Sequence, residues 1–167
     1  GAVINDIGPV LEEARVGRLR TYVRKGGTSD SWAEAAKSAA APNGIAFPHY
    51  TSEQWEIVAR PLSSERAHGS VQADYDMAIA RPFATNNGTM GSDPWRMNEG
   101  LKDKAVLVVR GETSALLSGA TARQMVESLP KAELVTVPGS GHAPYLDEPE
   151  AAAGIDRLLA RVLVEDE

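Results

Sequence analysis

Of the three histidines in this sequence, His142 sits where a proton-transfer group is useful. The stretch Gly139-Ser140-Gly141-His142-Ala143-Pro144 lies between the apolar run Leu134-Val135-Thr136-Val137 and a helix-like tail from Asp147 to Val164. Two glycines let the backbone turn sharply just past a strand end, so the imidazole can project over the rim of a sheet instead of packing beneath it. A neutral imidazole in that position can take a proton from a nucleophile or a water and later return it to a leaving group. Such a base needs an acceptor at Nδ1, which fixes the tautomer and stabilises the imidazolium.

The other reactive side chains are less suited to chemistry. No Gly-x-Ser-x-Gly elbow occurs, and Gly139-Ser140-Gly141 belongs to the histidine loop with the wrong flanks for one. The absence of cysteine excludes disulfides, thiolate metal sites and a thiol nucleophile. His49, in Phe47-Pro48-His49-Tyr50, reads as a packing residue, and His68, beside Gly69 and Ser70, as a solvated one. The histidines have no close ligand spacing, so no zinc site is expected. Gly88-Thr89-Met90-Gly91 lacks the lysine and the strand-to-helix setting of a phosphate loop. Trp32, Trp55 and Trp95 are first of all large packing groups, and Trp95 is also a candidate to face a substrate.

The elements that must position His142 follow from patterning. Gly1 to Ile7 reads as a short buried strand closed by Gly8-Pro9, and Ala105-Val106-Leu107-Val108-Val109-Arg110 as a second, followed by Gly111-Glu112-Thr113-Ser114-Ala115-Leu116-Leu117-Ser118. Helices are expected over Leu11 to about Arg24, from Asp30 or Ser31 to about Ala41 before Pro42-Asn43-Gly44, and from Thr51 to about Arg60, where Thr-Ser-Glu-Gln forms a capping-box pattern. Residues 63 to 92 are rich in Ser, Gly and Asn, and only Asp74 to Arg81 reads as ordered; the rest reads as a mobile connection. Asp93-Pro94-Trp95 opens a helix to about Gly100, with proline at its first position. Strand, helix (Gly119 to Leu129), strand and helix (Pro149 to Val164) then alternate, which predicts parallel strands with crossover helices.

The chain has 167 residues, enough for one domain with a sizeable core, and its 43% hydrophobic and 24% charged residues are those of an ordinary globular protein. A net charge of −6 argues against nucleic acid and anionic membranes as partners and suits a small uncharged substrate. No apolar run approaches the roughly 18 residues that span a bilayer, and the N-terminal residues form neither a basic region nor a signal core. A soluble, cytoplasmic protein is expected.

Val3-Ile4-Asn5-Asp6-Ile7-Gly8-Pro9, the loop from Gly111 to Ser118, and His142-Ala143-Pro144 with Asp147-Glu148-Pro149 together resemble the C-terminal part of the α/β-hydrolase fold. Lactonases, esterases and C–C bond hydrolases share it. The resemblance implies that residues 1–10 supply a core strand, the sixth of that sheet, and that residues 11–92 form a helical cap insertion with its return loop. Residues 93–167 then supply the last core strands and helices, with the acid-position and histidine loops. It further implies a hydrolase without a cofactor, with His142 as general base and the nucleophile supplied by an N-terminal half of the same fold. The substrate expected is a small ester, lactone or related carbonyl compound, bound between cap and sheet. The usual acid position of the family is occupied here by Ala115, which cannot accept a hydrogen bond from the imidazole. Three explanations stand side by side: a natural loss of activity, an engineered substitution, or replacement by another acid. For the last, Asp6 and Asn5 are the leading candidates, because some relatives carry the acid at the end of the sixth strand, and Glu112 is a weaker one. A non-catalytic binding protein descended from such enzymes is the alternative function.

Overall fold

The structure, a computed structural model, describes residues 1–10, 27–76, 78, 81 and 93–165. In chain order these form β1 (Ala2–Asn5), β2 (Thr28–Ser29), α1 (Trp32–Asn43), α2 (Ser52–Ala59), β3 (Ser63–Glu65), β4 (Val71–Ala73), α3 (Trp95–Glu99), β5 (Val106–Gly111), α4 (Gly119–Glu127), β6 (Ala132–Val137) and α5 (Pro149–Glu165). The chain divides into two compact units, one of Gly1–Arg15 with Thr89–Glu167 and the other of Val16–Gly88.

The first unit is built on a parallel sheet of order β1-β5-β6. Its central strand β5 is apolar on both faces, as a strand covered on both sides must be. Leu107 and Val109 join Val135, Val137, Ala151 and Leu158 in one buried cluster, while Val106 and Val108 join Leu117, Ala122, Met125 and Leu129 in another. This alternation is the period-two geometry of a strand. Each fully buried aliphatic side chain contributes about 1.5–3 kcal/mol. Helix α4 covers the Val106 face and starts at Ser118, whose Oγ accepts from Thr121 N at 3.0 Å. Helix α5 covers the other face. It sits so close that a Cβ on Gly154 would lie 3.0 Å from a Val135 methyl and 3.2 Å from both Leu107 methyls. In register, Ile4 stands beside Val108 and Val108 beside Leu134, which aligns the C-terminal ends of all three strands.

The second unit holds α1 and α2, packed through Ala35, Ala36, Trp55 and Ala59 with Phe47 and Val71. Ser31 caps α1 by accepting from Glu34 N, and Thr51 and Gln54 form the expected capping box, with Gln54 Oε1 accepting from Thr51 N at 2.8 Å. Helix α1 runs on through Pro42 to Asn43, two residues past its expected end. Two expectations need correction here. Residues 63–73 are not a structureless connection: they supply β3 and β4 of a small antiparallel sheet of order β2-β4-β3. Its strands hold two or three mostly polar residues and bury only Val71, so they carry no alternation to read. The turn between β3 and β4 rests on positive φ at His68 (67°) and Gly69 (80°). His49 is exposed rather than packed, while its neighbours Phe47 and Tyr50 pack against Trp55. The helix expected over 11–24, and the stretch 82–92, lie outside the described residues.

Candidate active site

Parallel strands deliver their C-terminal ends to one rim, and the loops after β1, β5 and β6 meet there. Asp6 directly follows β1; its N–H donates to Val109 O at 2.8 Å, after which a φ of 53° takes the chain out of the extended conformation. Aspartate tolerates this left-handed region better than most residues. Its side chain is fully buried, and both oxygens are used. Oδ1 accepts from Gly111 N at 3.1 Å, and Oδ2 lies 2.9 Å from Nδ1 of His142. A carboxylate only accepts, so the imidazole hydrogen belongs on Nδ1 and the Nε2 lone pair is left for a proton. The His142 side chain is 31% exposed, so the ring is anchored on its buried edge and open on the other.

The histidine loop is held at several further points. Asn5 Nδ2 donates to Pro144 O at 2.9 Å. Glu148 accepts from two successive backbone donors, Tyr145 N at 2.9 Å and Leu146 N at 2.8 Å, where Leu146 has a φ of 71°. Burial, reinforced by the charges of Glu148 and Asp147, pushes the Tyr145 phenol above its ordinary range. Glu112 is not an acid for the imidazole: its carboxylate accepts from Gly139 N at 2.8 Å, and so holds the start of the same loop. Asn5 likewise binds loop backbone rather than the ring.

Ala115 lies on an exposed turn after β5, where Ser114 Oγ accepts from Leu116 N and Leu117 N. Trp95 is half-buried against the cluster of Val106, Val108 and Met125, which is a packing role. His68 is exposed as expected. Among the described residues no group of His, Asp or Glu is arranged to hold a metal, and no helix is long and apolar enough to cross a membrane. The contribution of Glu148 escapes sequence reasoning; its only signal is the Asp147-Glu148-Pro149 triplet ahead of a helix.

A profile of the alpha/beta hydrolase family matches residues 3–155. A 3-hydroxybutyrate-oligomer hydrolase from Cupriavidus necator is 30% identical over 158 residues, covering 90% of this chain and 53% of that protein. Among solved structures, an alpha/beta hydrolase from Novosphingobium aromaticivorans is 40% identical with a TM-score of 0.87, over 96% of this chain and 56% of that one. E-2-(acetamidomethylene)succinate hydrolase, at 23% identity and a TM-score of 0.62 over 99% and 57% of the two chains, shares the fold. The chain thus spans about half the length of these relatives. By the extent of the family match and the parallel sheet with its crossover helices, this chain belongs to the alpha/beta hydrolase family.

Proposed function

We propose that this chain carries the base and the acid of a hydrolase for small esters or related carbonyl compounds, with His142 as general base and Asp6 as the acid that orients it. The carrying observation is the 2.9 Å contact between the buried Asp6 carboxylate and His142 Nδ1. A nucleophilic hydroxyl from a segment outside residues 1–167 attacks the substrate carbonyl while Nε2 of His142 takes its proton. The imidazolium, stabilised by Asp6, returns that proton to the departing alkoxide as the C–O bond breaks. A water deprotonated by the same ring then releases the acyl group and regenerates the nucleophile. The ester class is supported by the name of the Cupriavidus relative, whose substrate is an oligomer of a hydroxy acid.

The reading explains how a family member can dispense with an acid at Ala115: the acceptor comes from the neighbouring strand. It is tested with Asp6→Asn and Ala115→Asp in the protein that includes the nucleophile-bearing segment. Asp6→Asn should lower kcat by about four orders of magnitude, the loss expected when a triad acid becomes an amide. Ala115→Asp should change it little. A dead parent enzyme revived by Ala115→Asp, or no hydrolysis by any variant that still binds ligand, would overturn the proposal, and the latter would favour a binding protein.

A further inference from the structure

We propose that Gly111 and Thr113 are positioning residues, forming a clasp after β5 that sets the height of the histidine loop so that His142 meets Asp6. The inference rests on the reading of His142 and Asp6 as base and acid, and extends it to two residues that act through the carboxylate and the loop backbone.

Gly111 closes β5, paired with Val137 in the ladder. Its value lies in the space it leaves. A Cβ built on it would overlap Gly141 O and stand 2.7 Å from Ser140 O, both in backbone that cannot swing aside like a flexible side chain. The histidine loop therefore crosses directly over a position that must lack a side chain. From the same residue, the N–H donates to Asp6 Oδ1 at 3.1 Å. One glycine thus bears on both partners: its donor holds the carboxylate, and its missing side chain admits the loop that brings the imidazole.

Thr113 supplies the grip from the next turn. Its N–H and its Oγ1 both donate to Ser140 O, at 2.9 and 3.0 Å. The Ser140 carbonyl is therefore seated against Gly111 and held by two donors from Thr113, two residues ahead of His142. Ser140 itself is buried, while Thr113 reaches its carbonyl from the exposed turn after β5. A shift of the loop by the size of one methyl group would draw Nδ1 beyond hydrogen-bonding distance of Oδ2.

The test uses Gly111→Ala, Thr113→Val and Thr113→Ser in the protein with its nucleophile-bearing segment, and two readouts. One is kcat and KM on a small activated ester; the other is the far-downfield NMR signal of a histidine Nδ1 proton bonded to a carboxylate, which needs no turnover. Gly111→Ala should abolish that signal and lower kcat by about a hundredfold while KM changes by less than about twofold, the pattern of misplaced chemistry rather than lost binding. Thr113→Val should lower kcat by about fivefold, the worth of about one hydrogen bond, and Thr113→Ser should restore it. Since Thr113 is exposed, its two variants decide the matter if Gly111→Ala fails to fold. A signal and kcat unmoved by either Gly111→Ala or Thr113→Val overturns the clasp. If the signal responds as expected in a protein without hydrolytic activity, the clasp stands and the catalytic reading falls.

Discussion

Asp6 illustrates how a charge can be kept in an interior. It is buried, yet both oxygens have N–H partners, one from backbone and one from the imidazole. A buried carboxylate without them would be costly, and removing a partner from such a pair is far more damaging than replacing both. Glu148 solves a similar problem nearer the surface, satisfying two adjacent backbone donors whose loop conformation, with Leu146 at positive φ, places them side by side. Replacing its carboxylate with an amide keeps one acceptor and turns a donor toward the second N–H. Glu148→Gln should therefore speed hydrogen exchange at the Tyr145 and Leu146 amides and lower stability by about 1–2 kcal/mol, between the worth of an ordinary hydrogen bond and that of one to a buried charged group. Unchanged exchange at both amides would mean that Glu148 does not fasten the loop.

At the scale of elements, the contact of α5 with the sheet depends on Gly154. Alanine there gains about 0.8–1 kcal/mol of helix propensity. Against this, the new methyl presses on Val135 and Leu107, at distances tighter than ordinary packing, in an interior with no slack. Overpacking of that kind costs about 1–3 kcal/mol, so Gly154→Ala should lower the melting temperature; a rise would show that α5 can lift off the sheet without loss. The same elements mark what a sequence can and cannot disclose. Strand β5 was legible because double-sided burial leaves an uninterrupted apolar run, and α4 and α5 because their apolar faces recur at helical spacing. Strands β3 and β4 were not, since short polar strands stabilised by a turn at His68 and Gly69 leave no periodic trace. The meeting of Asp6 with His142 joins residues 136 apart in sequence, a proximity created only by the sheet order β1-β5-β6. Asp6 was nameable beforehand through family resemblance alone, and the roles of Glu112 and Glu148 as loop fasteners appear only once backbone donors have positions.

For the molecule as a whole, the decisive feature is the outer edge of β1. Among the described residues this strand pairs with β5 alone, and its other side presents unpaired backbone groups along Ala2–Asn5. The sequence there, Ala-Val-Ile-Asn, carries no lysine, proline or bulge to deter pairing, and Val3 is 40% exposed, with Ile7 and Val10 exposed just beyond it. Parallel sheets are ordinarily covered on both faces, so such an edge fits a strand that continues into further sheet. We therefore expect residues 1–167, expressed alone, to self-associate through β1, and to become a defined one-to-one complex when co-expressed with the segment proposed to bear the nucleophile. Sedimentation velocity measures both states. Val3→Lys, a charge on the strand beside the open edge, should reduce self-association of the isolated residues without disturbing the Asp6–His142 contact at the strand's far end. A monomer with a cooperative melt and no gain from the added segment would show that β1 is a finished edge, and the nucleophile would then have to be sought within these 167 residues.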